Sequence, residues 1–174
     1  MDTFGRVVAL SHTGPVCVQP TTNFNEFGDF INPYEKKAED INTNTTKSYF
    51  DLANIEIMGE DKKVRLNLFD AKKRKFPLMI DMLEKHPFSS QVFLPLGKDP
   101  FFVIVCPASL KPDLNNLNIF KIENGNGVNF NPDIWHFPLI SINDAKFITV
   151  DKKHADNNLN IYNFTDQEKF SFNG

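Results

Sequence analysis

The sequence predicts an all-β chain, a sandwich or barrel of short strands with a few short helices. Three observations carry that prediction. Strand-like runs recur about every ten residues, separated by Gly, Pro, Asn and Asp. Helix signals are few. Phenylalanine occurs 18 times in 174 residues, and large flat side chains suit sheet faces and barrel interiors.

Taken in order, the strand candidates begin at residues 6–10 and 16–18. Residues 53–58 and 64–69 follow, the latter alternating Val64, Leu66 and Leu68 against Arg65 and Asn67. Then come 78–83, 91–96, 101–106, 117–122, 128–130, 138–142 and 146–150. Leu96-Gly97-Lys98-Asp99-Pro100 reads as a hairpin turn between its flanking strands. Ser141-Ile142-Asn143-Asp144 reads as a second. Asn124-Gly125-Asn126-Gly127 supplies residues that accept positive φ at little cost. Residues 21–28 have capping residues before and Gly28 after, which suggests one or two helical turns. Thr165-Asp166-Gln167-Glu168 has the form of a capped short helix. Residues 33–48 are polar and read as a mobile loop ordered by ligand. Residues 156–174 read as an irregular C-terminal tail around that short helix.

No repeat or long linker divides residues 1–174, so a single domain is expected, large enough to bury a core without disulfides. A composition of 41% hydrophobic and 24% charged residues is that of a soluble globular protein. A net charge of −3 argues against nucleic acid, which wants a dense basic face. No run approaches the roughly 18 apolar residues of a membrane span. The first residues, Met1-Asp2-Thr3-Phe4-Gly5-Arg6, lack the basic start and apolar core of a secretory signal, so the chain reads as cytoplasmic. Cys17 and Cys106 sit in apolar runs and read as buried, reduced thiols.

Two segments carry the chemistry. One is Glu84-Lys85-His86-Pro87-Phe88-Ser89-Ser90-Gln91; the other runs from Gly125 to His136 and contains Trp135, the lone tryptophan. Residues i and i+2 of a strand share a face, so Glu84 and His86 can point together into a barrel. His136 follows a turn-like run, and Trp135 would face the opposite side as core. A lone histidine in a β protein is more often a structural hydrogen-bonder, and a one-residue change of register would leave Glu84 in solvent. Two histidines in similar contexts favour one shared site. His12 and His154 lie in polar, loop-like sequence and receive no role.

The arrangement resembles the two-part motif of cupin barrels. That motif's His-x-His, four residues, Glu, then Gly stands here as Glu84-x-His86, four residues, Gln91, then Gly97. Its second half ends in a histidine, here His136, five residues after the turn residue Asn131. Glu84, His86, Gln91 and His136 are plausible ligands for a divalent metal such as Ni²⁺, Mn²⁺ or Zn²⁺.

The same segments resemble the ureidoglycolate lyase family of allantoin and purine catabolism. The markers run in the family's order. They are Phe27-Gly28-Asp29, Phe50-Asp51-Leu52-Ala53, Glu84-Lys85-His86-Pro87, Ser90 to Leu96, Lys111-Pro112-Asp113-Leu114, Asn124-Gly125, Gly127 to Phe130, Trp135-His136-x-Pro138-Leu139 and Phe147 to Asp151. The resemblance implies a cupin-like antiparallel β-barrel or double sheet and a homodimer. It also implies a lyase that cleaves (S)-ureidoglycolate, a small anion, to glyoxylate and urea. His136 or His86 would do acid/base work. Glu84 would orient a histidine or act as base itself. Ser90, Gln91 and Asn129 would hydrogen-bond the substrate, and Lys111 or Lys152 would anchor its carboxylate. Four departures bear on the substrate. Asp70 and Asn118 stand where the family commonly has arginine, and Phe137 and Phe50 where it commonly has histidine. These leave two alternatives open: a diverged enzyme on another small hydroxy- or amido-acid, or a binder without catalysis.

Overall fold

A computed structural model describes residues 18–153 and 157–174. The strand candidate at 6–10, most of that at 16–18, Cys17, His12 and His154 lie outside the described residues. The strands are β1 (Val18–Gln19), β2 (Gly28–Ile31), β3 (Glu39–Ile41), β4 (Thr46–Ser48), β5 (Val64–Ala71), β6 (Leu78–Ile80), β7 (Met82–Lys85) and β8 (Gln91–Pro95). They continue as β9 (Phe101–Cys106), β10 (Asn118–Ile122), β11 (Gly127–Phe130), β12 (Trp135–His136), β13 (Ile140–Ser141), β14 (Ala145–Lys152), β15 (Asn160–Asn163) and β16 (Phe170–Phe172). The helices described are single 3₁₀ turns or little more, at Thr21–Glu26, Pro33–Glu35 and Leu114–Asn116.

Two sheets face each other, as the sequence predicts. One runs β1-β10-β9-β12-β7-β15, with β13 also on β9; the other runs β2-β11-β8-β14-β5. Their inner faces meet in a cluster that includes Phe24, Phe93, Phe101, Phe120, Phe130 and Phe147. Rings meet mostly edge-to-face, as Phe101 and Phe147 do at 5.2 Å and 82°. A second cluster, with Ile104, Trp135, Phe137 and Phe172, coats the outer face of the first sheet. All of β9 is therefore buried: Phe101, Val103 and Val105 look inward, and Phe102, Ile104 and Cys106 outward. Burial pushes the Cys106 thiol up to about 11, which fits the inert thiol expected.

Several expectations need correction. The turn at 96–100 joins β8 to β9, and these strands lie in different sheets. The turn at 141–144 likewise joins β13 to β14 across the two sheets. Turn chemistry reports that the chain reverses, but not which sheet receives it. Asn124 and Gly125 do adopt positive φ, at 63° and 78°. Residues 53–58 make only an irregular pairing, with one bridge from Ile57 to Ser89.

The polar loop at 33–48 is a hairpin, β3 on β4, entered by a 3₁₀ turn that Asn32 caps. Its polar residues lie on a surface hairpin that needs no core face. The expected irregular tail contributes β15, which pairs with β7, and β16, which pairs with β6. Phe164, Phe170 and Phe172 anchor it to the outer core.

The capped short helix expected at 165–168 is instead a hydrogen-bonded turn, although its capping contacts form. The Glu168 carboxylate accepts from the Thr165 N–H at 2.8 Å and from the Tyr162 hydroxyl at 2.9 Å. The Thr165 N–H is the main influence that pulls Glu168 down to about 2. A depressed carboxyl stabilises the fold fully above its ordinary value, and that contribution is lost as pH falls through about 2. Glu168→Gln should therefore destabilise the protein by about 1 kcal/mol at neutral pH. In urea titrations the gap between variant and parent should close toward pH 2; a gap independent of pH would refute the role given to the charge.

Candidate active site

The first histidine segment leaves β7 and the second enters β12, and the fold stitches the two together. β12 pairs with β7 so that His136 lies opposite Glu84. Just before it, Asp133 adopts φ 67°, a conformation aspartate tolerates, and its N–H donates to the His86 carbonyl at 3.0 Å. Lys85, almost fully buried, pairs with Asp133 at 2.6 Å, donates to the Ser109 carbonyl and lies over the Trp135 ring. That cluster is on the outer face. Trp135 is core there, as expected, and His136 points the other way.

Glu84, His86 and His136 each offer a ligand atom, and the three atoms lie within 4.8 Å of one another. The imidazole rings are 5.3 Å apart, and His136 stacks on Phe130 at 4.6 Å and 20°. His86 Nδ1 is 2.7 Å from the Asn158 carbonyl, and His136 Nδ1 is 3.0 Å from the Ile134 carbonyl. A carbonyl only accepts, so each Nδ1 carries a proton. Both Nε2 atoms are buried without a hydrogen-bond partner, as is Gln91 Oε1. Buried polar atoms left this way are uncommon and call for a ligand.

Burial, and then the neighbouring His86, push His136 down to about 3, so it is neutral at physiological pH. Burial also raises Glu84 above the usual carboxylate range, with His86 opposing. Glu84 Oε1 lies 3.6 Å from His136 Nε2. That is too long for a hydrogen bond, and with a neutral imidazole it is no ion pair.

The barrel interior brings together Glu84, His86 and His136, and Gln91 lies opposite Phe130, on which His136 stacks. Other expected site residues lie elsewhere. Ser90 accepts from the Glu56 N–H at 2.9 Å and ties down the segment before β5. Asn129 looks out of the barrel, where its amide donates to Asp29 and to the Asn54 carbonyl. Strand parity decides both, since their neighbours Gln91 and Phe130 take the inner face. Lys111 pairs with Glu168 at 3.4 Å and covers Tyr162. Lys152 spends its ammonium on the carbonyls of Met58 and Asp61.

Sequence reasoning missed Asn158 and the Arg65–Asp151 pair. Asn158 anchors His86 by its carbonyl, while its side chain takes the Phe88 N–H and donates to Ser89. Nothing in an asparagine-rich chain marked it. The alternation in β5 could have pointed to Arg65.

The family model described as ureidoglycolate lyase matches residues 15–171. The chain belongs to the ureidoglycolate lyase family. A member from Brucella anthropi is 35% identical over 159 residues, covering 89% of this chain and 93% of its own. One from Burkholderia mallei is 37% identical over 149 residues, covering 84% and 87%. Among solved structures, a dTDP sugar isomerase from Desulfovibrio desulfuricans aligns at TM-score 0.40 and 9% identity, covering 95% of this chain and 86% of its own. An oxalate decarboxylase variant from Bacillus subtilis aligns at 0.37 and 12%, covering 88% and 29%.

Of the four departures expected from the family pattern, Phe50 is exposed, Asn118 lies opposite inward-facing Val105, which also neighbours His136, and Asp70 and Phe137 face away from the histidines. Asp70 lies across from Lys146 on the outer face of β5, in phase with exposed Leu66 and Leu68. Phe137 is buried in the outer core, with Arg74 over its ring.

Proposed function

We propose that the protein is a ureidoglycolate lyase, cleaving (S)-ureidoglycolate to glyoxylate and urea in allantoin catabolism. The observation that carries this reading is the pair of imidazoles, His86 and His136, whose buried Nε2 atoms have no hydrogen-bond partner and turn toward one polar site with Glu84 in a chain of this family. The outward placement of Asp70 and Phe137 favours it over a diverged enzyme or a binder at those two positions, whereas Asn118 shares the inner face with His136 and keeps the choice of anionic substrate open to test.

The chemistry is elimination from a carbinolamide. A base takes the hydroxyl proton, the C–N bond breaks as the carbonyl forms, and the departing ureido nitrogen receives a proton. His136 is placed to take the hydroxyl proton, since its Nε2 is buried without a partner, but burial holds the ring down to about 3 and makes it a weak base when unassisted by Glu84 or a bound ion. A buried imidazolium is unfavourable, so the captured proton passes on readily. Glu84 has a raised affinity for protons and stands beside Nε2, where it can relay one to the leaving nitrogen.

The same donor set fits a divalent metal. Glu84, His86, His136 and Gln91 would hold Ni²⁺, Mn²⁺ or Zn²⁺, and carbonyl bonds to each Nδ1 would orient the imidazoles. Such an ion would supply Lewis acidity toward the substrate hydroxyl.

Glyoxylate release from racemic ureidoglycolate, with and without added Ni²⁺ or Mn²⁺, tests the reading. Release above the spontaneous rate is expected; release at that rate under both conditions sinks it. Elemental analysis of the purified protein tests the metal separately.

The expected homodimer has a candidate face. On the outside of the second sheet, Val64, Leu66 and Leu68 are 49%, 69% and 56% exposed, beside half-buried Ile148, Val150 and Leu94. Leu66→Glu with Leu68→Glu should convert a dimer to monomer by light scattering. An unchanged mass would exclude this face.

A further inference from the structure

Across the barrel from the histidines lies a second polar constellation. Arg65 on β5 stands opposite Asp151 on β14. Its Nε donates to Asp151 Oδ1 at 2.5 Å and its Nη2 to Oδ2 at 3.2 Å. Asp151 is buried and points inward, in phase with Thr149 and Phe147. Val150 pairs with Val92, so one step along the same register Asp151 comes beside Gln91. Gln91 in turn pairs with Phe130, on which His136 stacks. One layer of the barrel therefore runs from His136 through Phe130, Gln91 and Asp151 to Arg65.

We infer that Arg65, oriented by Asp151, binds the carboxylate of the substrate while the histidine side works on the carbinol carbon. The inference rests on the proposed reaction and names the group that selects its anionic substrate. A guanidinium has five N–H donors in a planar fork that matches a carboxylate. Two are spent on Asp151, and the rest belong to a side chain that is 45% exposed. Asp151 holds the fork in place, so little side-chain entropy remains to be lost on binding.

Strands lie about 4.8 Å apart, so the three steps from Phe130 to Arg65 span about 14 Å. The Arg65 side chain and the imidazoles both project into that span from opposite sides. The other candidate cations are committed: Lys152 to carbonyls, Lys111 to Glu168, Lys85 to Asp133, and Arg74 to the outer core.

The test uses oxalurate, which keeps the ureido group and carboxylate but has a carbonyl in place of the carbinol carbon. Its uncharged carboxamide is the control. Arg65→Leu alone would strand a buried Asp151, so it is paired with Asp151→Asn. In calorimetry the parent should bind oxalurate at least tenfold more tightly than the carboxamide, and the double variant should bind both within twofold. With ureidoglycolate, the double variant should raise KM at least tenfold and change kcat less than threefold. Should it fail to fold, Arg65→Lys keeps the charge without the fork and should weaken oxalurate at least fivefold. Oxalurate affinity within twofold of the parent in either folded variant, or no binding by the parent, overturns the anchor. A parent that binds oxalurate through Arg65 yet releases no glyoxylate overturns the reaction instead.

Discussion

Replacing His136 by alanine is expected to lower glyoxylate release at least a hundredfold, as loss of an acid/base group does. The expectation follows from three features of that side chain. It is 2% exposed, its Nδ1 is committed to the Ile134 carbonyl, and its Nε2 is bare. The loss follows whether Nε2 accepts a proton or holds an ion. The ring also fills space against Phe130, so the alanine variant needs a companion that keeps volume. His136→Gln supplies it, restoring bulk and hydrogen bonding without a basic nitrogen. Both variants should be folded by circular dichroism and equally inactive. An activity loss below threefold in the glutamine variant would remove His136 from the chemistry.

Phe120→Ala should cost about 3–5 kcal/mol, the usual range for emptying a buried phenylalanine site. Phe120 is fully buried on β10, with Phe24 at 5.2 Å edge-on and Phe27 at 5.8 Å. Those two rings hang from the short 3₁₀ turn at Thr21–Glu26 and its cap, which the Asn131 N–H ties to the end of β11 through the Phe27 carbonyl. Partial collapse would bring the cost toward the lower figure. Urea denaturation should show a lower midpoint with an unchanged slope. A cost below 1 kcal/mol would mean that the Phe24, Phe27 and Phe120 cluster does not carry the packing described.

Strand existence was legible because it depends on local residue type: 91–96 and 101–106 coincide with β8 and β9 to within a residue. Sheet membership was not legible, because it depends on partners far along the chain. The turn after β8 looks like a hairpin by every local measure and yet crosses between sheets. At the site, Glu84, His86 and His136 were readable from spacing, since i and i+2 share a face in any extended segment. Ser90 and Asn129 failed by parity, one residue from an inward position. Arg65 was hidden by the common expectation that the apolar half of an alternating strand faces the core. In β5 the polar half, Arg65 and Asn67, looks inward to Asp151 and Thr149, because this end of the barrel is polar.

The carbonyl that fixes the His86 tautomer belongs to Asn158, 72 residues further along the chain. Because that acceptor is a main-chain carbonyl, exchanging the side chain at position 158 leaves it in place. The orientation of the His86 ring is thereby insulated from substitution at the residue that sets it, while the side-chain bonds of Asn158 to Phe88 and Ser89 are not.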